Sequence, residues 1–438
     1  MKLLIVGSGG REHALAWKLK QSTEVSEILC APGNAGTAQV GRNEAVAAED
    51  VGGLLALARR ERPGLVVVGP EAPLALGLAD GLEAEGFCVF GPKKAAARIE
   101  SSKAFAKELM REAGIPTAAF GVFGDPEEAK GFVRARGGAF AVKADGLAAG
   151  KGVLLCPDPS SAEAAIGEIM ERRAFGEAGA RCVVEELLEG EEASFLAFVD
   201  GERALPLPAA QDHKAVGEGD TGPNTGGMGA YSPAPVMTGA LERRALAEVI
   251  LPAVRTLAAR GTPYRGVLYA GLMVKGGDLR VLEFNCRFGD PECQPLLMRM
   301  EGDLLPVLLA CAKGSLEGAE LAFSEEAALC VVMAAQGYPG GYRKGDPIEG
   351  LEAAAAAPGV EIFHAGTKRE GDGRVVTSGG RVLGVTARGR DIRQAIERAY
   401  AAAGRIAWPG AFYRRDIGAK ALGRLDEARR GEPAEPRP

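Results

Sequence analysis

The chain has 438 residues, 47% hydrophobic and 25% charged, an ordinary composition for a globular protein with its own core. At roughly 150 residues per domain, about three domains are expected. Acids number 58 and bases 52, so the formal net charge is -6; with no long basic run, this argues against a nucleic-acid binder.

The first hundred residues alternate cleanly. Leu3 to Val6 predicts a buried strand, followed by Gly7-Ser8-Gly9-Gly10 and a helix from Arg11 to Lys20. Ile28 to Cys30 is a second strand, ending at Pro32-Gly33-Asn34. A helix from Gly53 to Glu61 leads to the strand Leu65 to Val68, which stops at Gly69-Pro70-Glu71. Another helix precedes Cys88-Val89-Phe90. Short apolar runs separated by helix-length segments indicate a parallel sheet. Ligands of such sheets bind at the carboxyl ends of the strands. Three of those ends carry a polar residue: Arg11, Asn34 and Glu71.

One helix is then expected from Lys93 to Ala113, broken by Gly114-Ile115-Pro116. Short strands and two helices follow from Thr117 to Leu188, and within them Ala141 to Val153 reads strand, glycine-rich turn, strand. That is the pattern of a mobile flap. The stretch Gln211 to Pro235 is expected to be the least structured; its length leaves function or disorder, and its low net charge with Met228 and Tyr231 favours an ordered binding loop. A helix and two strands, Gly266 to Lys275 and Leu279 to Asn285, come next. From Glu326 the pattern turns to alternating β, with a helix at Arg393 to Arg405 and a frayed tail after Arg424.

No run of about 18 apolar residues occurs, so no membrane span is expected. The opening apolar run is too short for a signal peptide, and a cytoplasmic protein is expected. The three histidines lie far apart and none of the eight cysteines forms a Cys-x-x-Cys pair. That excludes a standard zinc site or a disulfide scaffold and leaves oxygen-ligated Mg2+ as the expected metal class.

Four local patterns carry chemistry. Gly7-x-Gly9-x-x-Glu12 nearly matches a dinucleotide fingerprint, but Glu12 replaces the third glycine and no acid ends the second strand. A helix N-terminus there suits a phosphate of some kind, or is a tight turn and nothing more. Lys143 on a strand and Lys151 on a glycine-rich turn suit phosphate oxygens, although the spacing is not that of a P-loop. Val183 to Glu192 runs an apolar strand into a cluster of acids, either a solvated turn or a hinge for a flat base. Glu283 and Asn285, at i and i+2 on a strand, point to one face, with Arg287 next in line. Two oxygen donors and a cation fit Mg2+ bridging phosphates. Together these patterns indicate nucleotide chemistry.

The order Lys143 to Gly152, Glu185 to Leu188, then Glu283-Phe284-Asn285 resembles the ATP-grasp enzymes. Within them the chain resembles the phosphoribosylamine–glycine ligase family. The stretches GGREHALAWKL, APGNAGTA, KADGLAAGKGV, PNTGGMGAYSPAP, EFNCRFGDPE and FHAGTK carry that resemblance across nearly the whole chain. Cys293 departs from the pattern, where Thr or Ala is expected, and the strand Leu268 to Val274 carries no acid.

The resemblance implies an α/β fold. Its parts are an N-terminal Rossmann-like parallel-sheet domain (1–101), a two-part ATP-grasp domain (102–325, flap 117–188), and a small β-rich C-terminal domain (326–425) before a tail (426–438). It implies ATP-dependent ligation of glycine to 5-phosphoribosylamine through glycyl phosphate, in a cytoplasmic monomer using Mg2+ or Mn2+. Lys103, Lys143 and Lys151 would meet the ATP phosphates. The backbone at Glu186 to Leu188 would hold adenine, with Glu185 near its amino group and Glu192 on the ribose. Glu283 and Asn285 would hold the metal. Arg287 would clamp the glycine carboxylate, Asp212 would attract its ammonium, and Lys214 would touch phosphate or substrate. The sugar phosphate would lie across Gly9, Gly10, Arg11, Asn34, Pro70 and Glu71, near Asn224 and Gly226, with Lys368 and Arg381 on its phosphate.

Three other readings compete. A ligase of different carboxylate or amine specificity would share the fold. A nicotinamide oxidoreductase would leave EFNCRFGDPE without a role. A non-catalytic nucleotide sensor would not need both the lysines and the oxygen pair.

Overall fold

The computed structural model describes residues 1–148 and 152–430. Its N-terminal sheet has five parallel strands, in the spatial order Arg42–Asn43, Glu27–Pro32, Lys2–Gly7, Leu65–Val68, Val89–Phe90. Alternate residues feed two different cores. Leu4, Val6, Val66 and Val68 pack into one cluster, and Leu3, Ile5, Leu65 and Val67 into another. Both faces are covered, which is why these strands read as unbroken apolar runs.

The single helix expected over Lys93 to Ala113 is two helices, Lys94–Ser101 and Lys103–Glu112. Ser102 between them is extended (φ -138°, ψ 110°), and its hydroxyl caps the second helix by accepting from the Phe105 amide. A serine that can bond the backbone favours a cap over a helix interior. The break brings Lys103 to the first turn of a helix that faces the flap.

The flap is a four-stranded antiparallel sheet, ordered Phe120–Phe123, Cys182–Glu186, Phe140–Ala144, Val153–Cys156. Helices Pro126–Arg136 and Pro159–Ile166 cover it, with a core of its own around Val142, Val184 and Ile166. Facing it is a second antiparallel sheet, ordered Ala204–Pro206, Glu191–Asp200, Arg265–Lys275, Asp278–Asn285.

The stretch Gln211 to Pro235 is more regular than expected. Gln211–Asp212 is the edge strand of the C-terminal sheet and Gly229–Ser232 the strand beside it, and the sheet continues through Ala327–Ala334, Arg381–Gly389 and Val360–His364. Between them Ala215–Gly217 and Thr221–Asn224 form a hairpin. Arg414, with a side chain 1% exposed, pins that hairpin through the Ala215 carbonyl and Asp220. Of the tail expected to fray after Arg424, the part up to Arg430 is the end of the helix Ala419–Arg430, and the rest, 431–438, lies outside the described residues. Arg424 pairs with Glu191 at 2.7 Å. Among the described residues no helix is long and apolar enough to cross a membrane. All eight cysteines are free, and all but Cys88 are buried.

Candidate active site

The two facing sheets line a cleft of about 660 Å³, to which the N-terminal loops contribute Arg11, Pro70 and Glu71 and the C-terminal sheet Arg381. Most of the residues singled out above line it: Lys103, Lys143, Glu185, Glu186, Leu188, Glu192, Asp212, Lys214, Asn224, Gly226, Glu283, Asn285, Arg287, Arg11, Pro70, Glu71 and Arg381. Lys151 lies outside the described residues. Its flanking residues Gly146 to Ala148 and Gly152 reach the cleft.

On the flap side, Lys143 is 5% exposed. Its Nζ is 2.9 Å from Glu185 Oε1 and donates to the Leu282 carbonyl at 3.1 Å, so it bridges the flap and the opposite sheet. Lys103 donates to the Gly146 carbonyl at the flap turn, 2.9 Å away. Glu185 lines the cleft, and its two oxygens face lysines, Lys143 at 2.9 Å and Lys107 at 2.8 Å. The neighbouring Glu186 accepts from the Ala119 amide and pairs with Arg280 at 2.8 Å, while Leu188 faces the cleft.

The strand Asp278–Asn285 presents Glu283 and Asn285 on one face. Burial acts to raise the Glu283 carboxyl, but Lys214, Lys143, Lys103 and Arg287 overcome it and hold the group at about 2. It is therefore ionised at neutral pH. An ionised carboxylate beside an amide oxygen is the donor set a hard divalent cation takes. Among the described residues no group of three or more His, Cys, Asp or Glu could hold a metal. Any cation here would draw its remaining ligands from phosphates and water.

Arg287 is more tightly engaged than a free substrate clamp. It reaches Glu100 at 2.8 Å, Glu71 at 3.3 Å and Asn285 Oδ1 at 3.1 Å. Burial opposes its charge, and Glu100 and Glu71 hold the guanidinium protonated. Opposite it stands an acid pair. Glu292 is fixed by Tyr269 Oη at 2.6 Å and Ser194 Oγ at 3.0 Å. Burial, then Glu292, push the Asp212 carboxyl well above the usual carboxylate range. Lys214 reaches Glu192 at 2.8 Å and Glu283 at 3.6 Å.

Four of the substrate assignments fall outside the cleft lining. The opening glycine turn is not an open anion nest, because Glu12 folds back on it. Its Oε2 accepts from the Gly9 amide at 2.5 Å and its Oε1 faces Arg11 Nε at 2.6 Å. Gly10 packs against Gln294, whose Nε2 would stand 2.6 Å from an added Cβ. Asn34 spends its amide on the Ser8 and His364 carbonyls, tying the N-terminal loop to the C-terminal sheet. Lys368 is 63% exposed and pairs with Glu370 on the surface. Arg381 is brought in, where it donates to the Gly226 carbonyl at 2.6 Å and faces Asp290 at 3.3 Å.

Sequence reasoning missed Lys107, Glu100 and Glu292, which all line the cleft. Lys107 could have been found from its i+4 spacing to Lys103. Glu292 stood inside a quoted motif without a role. Glu100 meets its partners across nearly the whole ATP-grasp segment, and no local pattern announces it.

Models of the phosphoribosylglycinamide synthetase family match the chain along its length: the N domain over residues 1–100, the ATP-grasp (A) domain over 101–293 and the C domain over 328–420. The chain is 54% identical over 427 residues to the phosphoribosylamine–glycine ligase of Allochromatium vinosum, covering 97% of this chain and 99% of that protein. It is 52% identical to that of Vibrio vulnificus, again over 97% and 99%. Among solved structures it resembles the phosphoribosylamine–glycine ligase of Thermotoga maritima, with TM-score 0.83 and 33% identity over 95% of this chain and 100% of that one. The biotin carboxylase domain of Hydrogenobacter thermophilus 2-oxoglutarate carboxylase, solved with MgADP, shares the fold, with TM-score 0.71 at 17% identity over 94% and 91%.

Proposed function

The chain belongs to the phosphoribosylglycinamide synthetase family, and on that premise we propose that it joins glycine to 5-phosphoribosylamine at the expense of ATP. The products are glycinamide ribonucleotide, ADP and phosphate, and the reaction is the second step of de novo purine synthesis. The observation that carries the reading is Glu283, held ionised beside Asn285 among Lys103, Lys143 and Lys214. That arrangement suits a metal–triphosphate more than any other ligand class considered.

A carboxylate is a poor electrophile. Transfer of the γ-phosphoryl group to glycine makes glycyl phosphate, and the sugar amine then displaces phosphate from it. Phosphoryl transfer asks the protein for alignment and charge neutralisation. Lys103 and Lys143, with Lys151 from the flap turn, would hold the phosphates. The strand end at Glu186 to Leu188 would hold adenine through its backbone, and Glu192 the ribose. Glu283 and Asn285 would hold Mg2+ or Mn2+, which when bound neutralises phosphate charge. Glycine would sit with its ammonium at the acid pair Asp212 and Glu292 and its carboxylate toward Arg287. The sugar phosphate would take the end lined by Arg11, Pro70, Glu71, Asn224, Gly226 and Arg381. Closure of the flap would shield glycyl phosphate from water. The same reading assigns this activity to a monomer in the cytoplasm.

The test follows an oxygen atom. Glycine labelled with 18O in its carboxylate passes one label to inorganic phosphate if glycyl phosphate forms. Phosphate free of label would overturn the mechanism.

A further inference from the structure

Lys107 has no part in the assignments above, yet it is 2% exposed at the meeting point of the two sheets that form the cleft. Its Nζ lies 2.8 Å from Glu185 Oε2 on the flap and donates to Thr117 Oγ1 at 2.6 Å. Thr117 in turn donates to the carbonyl of Val281, two residues before Glu283, at 2.6 Å. The other oxygen of Glu185 faces Lys143 at 2.9 Å. One buried carboxylate is thus shared by two ammonium groups.

Counting protons and charges gives this arrangement a purpose. An ammonium has three donors. Lys143 gives one to the Leu282 carbonyl and stands 2.9 Å from Glu185 Oε1 as an ion pair, which leaves donor capacity for the cleft that it lines. A lone Lys143–Glu185 pair would be neutral and would offer a phosphate little. With Lys107 on the second oxygen, the three groups carry one surplus positive charge. Removing one partner from such a buried cluster exposes the imbalance of the rest.

We propose that Lys107 is a positioning residue for the nucleotide: by sharing Glu185 it fixes Lys143 between the sheets and leaves the surplus positive charge for the phosphates. This deepens the proposed function and rests on its assignment of Lys143 to the phosphates.

The experiment is MgADP binding by calorimetry, with neither glycine nor sugar present. Lys107→Met should weaken binding roughly tenfold or more, since a unit charge near phosphates in a shielded cleft is lost. Lys107→Arg should stay within about threefold of wild type, because it keeps the charge. The double variant Lys107→Met with Glu185→Gln should bind more tightly than Lys107→Met alone. Deleting the unshared carboxylate returns charge to Lys143, an effect that a merely structural role for Lys107 would not give. Unchanged affinity in Lys107→Met, or a double variant no better than the single one, would overturn the proposal. Wild-type protein that binds no MgADP would overturn the nucleotide reading itself.

Should Lys107→Met fail to fold, the wild type still decides. Burial pushes the Lys107 ammonium down to about 8 against the pull of Glu185 and Glu283, with Lys143 opposing and Arg111 on the shared Phe120 ring. MgADP affinity should then fall as pH rises past 8, and Lys107→Arg should flatten that fall. Lys103 also lines the cleft and is lowered by burial, but it is untouched by that substitution. A fall that persists unchanged in Lys107→Arg would overturn the proposal.

Discussion

Lys214 Nζ stands 3.6 Å from Glu283 Oε1, so the proposed metal carboxylate already has a cation at its side. Burial works against the charge of each; Glu192, then Glu283, hold Lys214 protonated, and Lys214 leads the cations that hold Glu283 ionised. Glu283→Gln should cut ADP release about 1,000-fold or more, the scale expected when charge stabilisation of the transferring phosphoryl group is lost. Lys214→Met should cost about 100-fold. Circular dichroism should report both variants as folded.

The same carboxylate fixes a pH dependence. Its folded value of about 2 lies below the ordinary value near ~4.3. A depressed pKa contributes stability above the unfolded value, and that contribution is lost as pH falls through the folded one. The difference in thermal midpoint between wild type and Glu283→Gln should therefore be constant from about pH 6 to 8 and change only below about pH 4.

Asp212 and Glu292 form the acid pair proposed to hold the glycine ammonium. Asp212→Asn should raise the KM for glycine about tenfold or more while MgADP affinity stays within about twofold. Equal losses for glycine and nucleotide would remove the ammonium assignment.

Two C-terminal cations were expected at the sugar phosphate, and the structure separates them. Arg381→Ala should raise the KM for the sugar substrate about tenfold or more, since it removes a bonded guanidinium from the cleft. Lys368→Ala, on the surface pair with Glu370, should leave kinetics within about twofold.

Much of this was legible in the chain. Strands buried on both faces announce themselves as Leu3 to Val6 and Leu65 to Val68 do, because both sides need apolar residues. The alternation of Glu283 and Asn285 showed a shared face without any tertiary knowledge. What stayed hidden depends on distant partners or on which way a side chain turns. Glu185 was expected near the base, but nothing in the sequence showed that Lys107, on another element, stands 2.8 Å from its carboxylate. Lys368 and Arg381 are equally basic in sequence, and only the sheet decides that one faces the cleft. Glu12 was read as a missing glycine, although its place three residues after Gly9 is the spacing at which an acid caps a helix start.

That cap carries a stability prediction. Arg11 and Glu12 are both buried and paired at 2.6 Å. Glu12→Ala leaves the Gly9 amide without its acceptor and the buried guanidinium without its paired carboxylate, though the Phe288 carbonyl still accepts from Arg11, and should cost about 3 kcal/mol in urea unfolding. A loss below about 1 kcal/mol would mean that water or another group replaces Glu12.

The central claim is the ligase reaction, and ADP release tests it most directly. Phosphoribosylamine would be generated in the assay from ribose 5-phosphate and ammonia, with ATP and Mg2+ present. ADP should appear only when glycine, sugar phosphate and ammonia are all supplied, and omission of any one should abolish it. ADP formed with a different carboxylate in place of glycine, or no ADP from folded protein under any combination, would contradict the account.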